Sequence, residues 1–392
     1  MKKLFVVLVM LAAMNASGQW VPAGSVGTFS DFASYNSNLY VSAFILFDDN
    51  DNPLSGPGVY YSTNNGTNWI QTAFPYSARD IHFKGTRLFA YENADHKSYY
   101  SDNFGANWTL TNSFLNASYC SNNTHLFVST SNGLLASTND GMNWSTVNPS
   151  SRPAFVNDNY VYLYGSDIYI SSNNGANWTT VNYSASCMAT NGVEIYAGTS
   201  GGGVLKSTDN GYTFTPTTSF SSDAIFSIVA VGSNIVAASY TGSGIFVSTN
   251  KGTNWTQRND GFTGFISINK LIYLNGYIFA GLTTTVWRRL LSELVGVQNI
   301  STEIPSAFSL GQNYPNPFNP KTVVRFSLSV VSDVVLKVYD VMGREVQTLV
   351  NETLQAGTYE ATFDGSMLNS GVYFYKLIVN GQSETKRMLL LK

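Results

Sequence analysis

Six times between residues 62 and 255 the chain repeats one eight-residue box, Ser-x-Asn/Asp-x-Gly-x-x-aromatic. The copies run Ser62 to Trp69, Ser101 to Trp108, Ser137 to Trp144, Ser171 to Trp178, Ser207 to Phe214 and Ser248 to Trp255. Their closing aromatic residues are separated by 39, 36, 34, 36 and 41 residues. A period in this range leaves few architectures open. Units this short cannot bury an apolar face alone and must stack on copies of themselves, as a solenoid or a propeller.

Each unit reads as four short strands. In the sixth they fall at Phe226 to Ala230, Ile235 to Ser239, Ile245 to Ser248 and Asn254 to Gln257. Turn residues punctuate them: Gly232-Ser233-Asn234, Thr241-Gly242-Ser243-Gly244 and Asn250-Lys251-Gly252. Four strands per unit fit a β-propeller blade. No Gly-His or Trp-Asp pair recurs, so the WD40 signature is absent. Gln19-Trp20-Val21 looks like the end of a box strand with no blade before it, and Tyr277 to Arg289 like a blade lacking its last strand. The N-terminal strand is therefore expected to complete the final blade and close a seven-bladed ring, leaving no open sheet edge.

The box is expected to be a hairpin turn. The Asn or Asp side chain (Asn64 in the first copy, Asp209 in the fifth) can accept nearby backbone N–H groups. The glycines Gly66, Gly105, Gly141, Gly175, Gly211 and Gly252 supply a positive φ. The aromatic residues Trp69, Trp108, Trp144, Trp178, Phe214 and Trp255 are then packing residues over the gap between sheets. The box resembles the Asp-box (BNR-like) repeat, with Asn for Asp in five of six copies. The region resembles the Asp-box propellers of sialidases, of family 74 glycanases and of the photosystem II stability factor. That resemblance implies a fold and leaves function open.

Composition points outside the cell. Lys2 and Lys3, the apolar run Leu4 to Ala13 and the small residues Ala16-Ser17-Gly18 form a secretory signal, with cleavage expected after Gly18. The run is too short to span a bilayer, and no later segment is apolar enough, so no integral membrane segment is expected after cleavage. Charged residues make up 11 % of the 392 residues, against about 25 % in an average soluble protein. With a net charge of −3 and no basic cluster, a nucleic-acid partner is not expected. Cys120 and Cys187 fall on innermost strands two blades apart, which predicts free thiols rather than a bridge.

The search for chemistry finds little that converges. Ligands of propellers usually meet the face built by the loops joining one blade to the next and the second strand to the third. Tyr91 and Tyr164, near the ends of second strands, are stacking candidates there, or else fill the channel; Glu92 sits beside the first. Asp48, Asp49 and Asp51 form an acidic run that could hold calcium but lacks the Gly and terminal Glu of an EF-hand loop, so a solvated turn is the simpler reading. A sialidase needs three converging arginines, and only Arg79, Arg87, Arg152 and Arg258 precede the last blade. A glycosidase needs two facing carboxylates, and Asp80, Glu92, Asp95, Asp167 and Asp223 are scattered over different units. His82, His96 and His125 show no metal-ligand spacing, and no cofactor is expected.

The last segment is the most diagnostic. It holds Tyr314-Pro315-Asn316-Pro317-Phe318, then Val338 to Val346 around Gly343, then Ser370-Gly371-Val372-Tyr373, and stops at Lys386 to Lys392. Val334, Leu336 and Val338 alternate with Val335, Lys337 and Tyr339, and Asn380-Gly381 marks a hairpin. This segment resembles the type A C-terminal sorting domain of type IX secretion cargo. The resemblance implies a small immunoglobulin-like β-sandwich, a translocon and a sortase as partners, and delivery to the medium or outer-membrane surface of a Gram-negative bacterium.

The expected organisation is an all-β chain: residues 1–18 a signal peptide, 19–293 a seven-bladed propeller, 294–307 a linker, and 308–392 the sorting domain. The expected role of the propeller is binding a polysaccharide or surface protein. A glycan-cleaving hydrolase and a structural surface-layer component are the alternatives.

Overall fold

The computed structural model describes residues 19–24, 27–44, 57–92, 94–201, 203–217, 223–263, 265–295, 298–301, 303–354, 356–366 and 368–392. The expected signal peptide and the acidic run Asp48, Asp49 and Asp51 lie outside these residues. Among the described residues the regular structure is strand, apart from one helical turn at Leu291–Leu294. Between Val21 and Leu290 the strands form seven four-stranded antiparallel sheets.

The second sheet shows the plan, with strands Ala78–Lys84, Arg87–Glu92, Lys97–Ser101 and Thr109–Ser113 side by side in chain order. Its second strand is covered on both faces, so Leu88, Phe89, Ala90 and Tyr91 are all fully buried. That is why such strands read as unbroken apolar runs instead of alternating, each sheet being packed between two others. The outer strand Thr109–Ser113 meets solvent and is polar apart from Leu110.

Contacts between innermost strands follow chain order from Thr28–Tyr35 to Lys270–Leu274 and return to Thr28–Tyr35. Six sheets use four consecutive strands. The remaining sheet takes its outer strand from the other end of the chain, Val21–Pro22 pairing with Val286–Leu290 through Val21↔Arg288. Trp20 anchors that strand: its Nε1 donates to the Arg258 carbonyl at 2.7 Å and its ring stacks on Phe262 at 4.9 Å.

All six boxes share one hydrogen-bond pattern. In the fourth, the Ser171 hydroxyl donates to Asn173 Oδ1 at 3.0 Å and accepts the Gly175 N–H at 2.8 Å, while Asn173 Oδ1 accepts the Asn177 N–H at 2.9 Å. The Gly175 N–H is thus satisfied inside the turn, and Gly175 at φ +91° would press a Cβ into Val147 at 2.9 Å. Two constraints, a left-handed backbone and a close approach, both select glycine. The indoles reach neighbouring sheets: Trp69 Nε1 donates to Ala23 O at 2.6 Å, Trp178 Nε1 to Val147 O at 3.0 Å and Trp255 Nε1 to Thr217 Oγ1 at 3.3 Å. Trp108 instead bonds within its own turn, at Gly105 O. Trp144 Nε1 is buried without a partner, and Phe214, which has no N–H, is the most buried of the six box aromatics.

The C-terminal region forms two further four-stranded antiparallel sheets over one core. One contains Gln298–Ser301, Gly357–Asp364, Lys321–Leu328 and Ser309–Leu310; the other Glu345–Leu354, Ser332–Tyr339, Gly371–Val379 and Gln382–Leu390. Val334, Leu336, Val338, Tyr359, Ala361 and Phe363 point into that core, as their alternation predicts. The 294–307 linker reading needs correction. Gln298–Ser301 is an edge strand paired with Gly357–Asp364 across a register shift, and four residues are too few for a periodic signal.

Candidate functional site

Three inner strands begin with a β-bulge at the same place, between Phe29 and Asp31, Ala78 and Asp80, and Ile225 and Ser227. A bulge re-aims the side chain that follows it. Ser227 Oγ uses this to accept the N–H of Leu271 in the next sheet at 2.9 Å. Asp80 does the same with Tyr119, its Oδ1 accepting that N–H at 3.1 Å and its Oδ2 the Ser118 hydroxyl at 2.9 Å. Asp31 Oδ1 accepts the Phe32 N–H at 2.8 Å and lies 3.0 Å from Lys270 Nζ.

Asp31, Asp80, Ser118 and Lys270 line a cavity of about 830 Å³, together with Arg79, Phe44 and Asn116. Its walls are starts of inner strands and the loops that join blades or second to third strands, so it opens on the face opposite the boxes. Burial raises the Asp80 carboxyl to about 7, and the Asp31 charge adds to the rise; Lys270 and the two hydrogen bonds pull against it. The Asp31 charge holds the Lys270 ammonium well above its ordinary range, against desolvation. Burial, then the Lys270 charge, hold His82 down to about 4, and its Nε2 is 2.7 Å from Ser121 Oγ. Burial raises Tyr164, the Lys270 charge pulls against the rise, and Cys187, Cys120 and Asp31 add to it.

The two residues proposed beside Tyr164 fall elsewhere. Tyr91 is fully buried, its hydroxyl accepting the Asn116 N–H at 2.9 Å and meeting His96 Nδ1 at 2.8 Å. Glu92 is also buried, and its Oε1 accepts the Ala94 and Asp95 N–H groups at 2.7 and 3.1 Å. Both are committed to hydrogen bonds that hold neighbouring backbone in place. Tyr164 is half-buried, just past the end of the strand Tyr160–Leu163. Of the five carboxylates singled out from sequence, Asp80 alone reaches the cavity; Asp95 pairs with Lys97, Asp167 with Arg152, and Asp223 accepts from Thr241 and Ser243. Arg87 is held by Asp102 and Arg152 by Asp167, so the arginines do not converge. His125 meets Thr124 at 2.8 Å, and no group of metal-binding side chains occurs among the described residues. Cys120 and Cys187 are free, the latter raised to about 12 by burial.

Asp31 and Lys270 were missed by sequence reasoning. For Asp31 a signal existed: Asp31 and Asp80 each lie eleven residues after a box-position tryptophan, Trp20 and Trp69. Equal offsets in a repeat mean equivalent places in space, and two acidic residues at one such place define a pair.

In the C-terminal region the sequence signals gather in space. Phe318 is buried against Phe363 at 5.7 Å, and its N–H donates to the Leu389 carbonyl at 2.9 Å. Asn316 Oδ1 accepts the Leu389 N–H at 3.0 Å, and Tyr314, before Pro315 and Pro317, is exposed. Lys392 Nζ donates to Ser366 O at 2.6 Å, and Lys386 lies 3.7 Å from Glu384. Gly343 turns with φ +76°; nothing in the structure explains Gly371, which lacks a positive φ and has open space around it.

Residues 312–391 match the family described as the secretion system C-terminal sorting domain. No curated protein matches the chain in sequence. Among solved structures, the WD40 β-propeller domain of Doa1 is similar at a TM-score of 0.52 and 10 % identity, covering 70 % of this chain and 98 % of that one. The extracellular domain of a protein described as a one-component system from B. thetaiotaomicron is similar at a TM-score of 0.51 and 13 % identity, covering 96 % of this chain. The chain spans 59 % of the length of that domain. At such identities the likeness speaks for the fold alone. No helix among the described residues is long and apolar enough to cross a membrane. The chain thus joins an all-β, propeller-like region to a C-terminal sorting domain of type IX secretion cargo, which implies export to the cell surface or beyond.

Proposed function

We propose that this is a secreted or surface-held binding protein, whose propeller grips a polysaccharide or surface protein bearing charged groups at the cavity of Asp31, Asp80 and Lys270. The observation that carries the reading is that one cavity of about 830 Å³ collects both carboxylates and the ammonium on the face away from the boxes. In this reading the region is a seven-bladed Asp-box propeller closed by its N-terminal strand, which the return of inner-strand contacts to Thr28–Tyr35 supports. Cleavage after Gly18 releases the chain from the inner membrane. The C-terminal region is an immunoglobulin-like sandwich that the translocon reads and a sortase removes. Its exposed Tyr314 and pinned C-terminal strand are the features available for that reading.

One observation favours a second reading, a glycan-cleaving hydrolase. Asp31 and Asp80 share a cavity, and Asp80 lies within the influence of the Asp31 charge. Two carboxyl groups in unlike surroundings are what acid–base hydrolysis requires. A reducing-sugar assay over soluble polysaccharides separates the two. Binding without release supports the first reading; release that Asp31→Asn and Asp80→Asn each abolish replaces it with the second.

A further inference from the structure

The residue before the glycine of each box sits in the left-handed region, at φ between 53° and 58°. Five boxes place Asn65, Asp140, Asn174, Asn210 or Lys251 there; the second places Phe104, at φ 57°. Asn and Asp tolerate this conformation because their short side chains bond locally, whereas a bulky apolar residue does not. A large residue held there against its preference invites a functional explanation.

Phe104 is also exposed, at 42 %. Its ring lies 5.1 Å from that of Tyr35, which in turn stacks on Phe83 at 5.2 Å. Tyr35 is itself irregular. The last paired residues of the seven inner strands are Tyr35, Lys84, Ser121, Asn157, Thr190, Val231 and Leu274, and only the first is aromatic. The two irregular residues come from neighbouring sheets and line one groove of about 460 Å³ on the box face, away from the charged cavity. Tyr61, Asn36, Asn38 and Asn103 complete its character, and no lining residue carries a charge.

We infer that this groove is a second binding site, for a neutral oligosaccharide. Sugar rings present an apolar face that stacks on aromatic rings and an equator of hydroxyls that amides and phenols bond. Aromatic faces beside amides, without any charge, suit an uncharged glycan and give an acidic one no cation to meet. The site is independent of the charged cavity and stands if the reading of that cavity falls.

The test titrates the chain lacking residues 1–18 with cellohexaose, laminarihexaose, mannohexaose and chitohexaose by calorimetry. At least one is expected to bind, with affinity lowered tenfold or more by Phe104→Asn and by Tyr35→Ser. Phe104→Asn also restores the residue type favoured at φ 57°, so its melting temperature should rise by about 1–3 °C, which separates lost binding from lost folding. Asp80→Asn should leave this binding unchanged. The inference is overturned if none of the four sugars binds, if Phe104→Asn binds as tightly as the parent, or if Asp80→Asn abolishes binding instead.

Discussion

Asp80→Asn tests the electrostatics of the charged cavity. The carboxyl rises from 3.8 to about 7 in the folded chain, through burial first and the Asp31 charge second. An acid raised in this way binds more protons folded than unfolded between those pH values. Stability is therefore lost as pH climbs through the window, and the loss is complete above 7. At about 1.4 kcal/mol per pH unit the full difference corresponds to about 4 kcal/mol in a dry site. Water in the cavity screens it, and about 2 kcal/mol is the expected size. Asn keeps an acceptor for the Tyr119 N–H and does not titrate. The assay is urea unfolding followed by tryptophan fluorescence, which reports the propeller-like region because all seven tryptophans precede residue 294. At pH 8 the variant should be the more stable by about 2 kcal/mol, and at pH 4.5 by no more than about 0.5 kcal/mol. Lys270 and Tyr119, both raised above their ordinary ranges, keep their protons across this window in both chains, and the titration of His82 is common to both and largely cancels in the difference. A difference that does not change with pH, or a variant less stable at pH 8, would refute the reasoning. It would mean that the Ser118 and Tyr119 hydrogen bonds outweigh desolvation.

Three further outcomes are expected. His82, held down to about 4 by burial, destabilises the fold as pH falls below 6.5, so His82→Gln should gain up to about 2 kcal/mol over the parent at pH 4.5 and nothing at pH 8, read by the same unfolding assay. Ser171→Ala orphans the buried Gly175 N–H and should cost about 1–3 kcal/mol in urea unfolding, whereas the exposed Ser172→Ala should cost less than about 0.5 kcal/mol. Phe318→Ala empties part of the C-terminal core and should cost about 3–5 kcal/mol there, seen as an early far-ultraviolet dichroism transition with the tryptophan midpoint unmoved.

What could be read from sequence followed from how strongly each constraint acts on residue choice. The box was legible because a left-handed backbone against Val147 admits only glycine, and because the serine has to satisfy the Gly175 N–H. The all-β class and the sorting domain were legible through strand alternation and long motifs. The site was not. Tyr91 and Glu92 look like ligand groups in sequence, but burial commits them to Asn116, His96 and the Ala94–Asp95 turn. Asp31 and Lys270 are 239 residues apart in sequence and meet only where the succession of sheets returns to its start. A long-range pair of this kind leaves no local pattern. The strand Gln298–Ser301 escaped for a related reason, since its identity lies in a partner nearly sixty residues on.

The most direct test is a mixed array of charged and neutral glycans and of surface peptides. It would be probed with the chain lacking residues 1–18 beside its Asp31→Asn, Asp80→Asn and Lys270→Met variants. The account predicts charged ligands on the array that the parent chain binds and each variant binds at least tenfold more weakly, with neutral-sugar binding left intact. Charged ligands bound equally by all four proteins, or none bound by the parent, would contradict it.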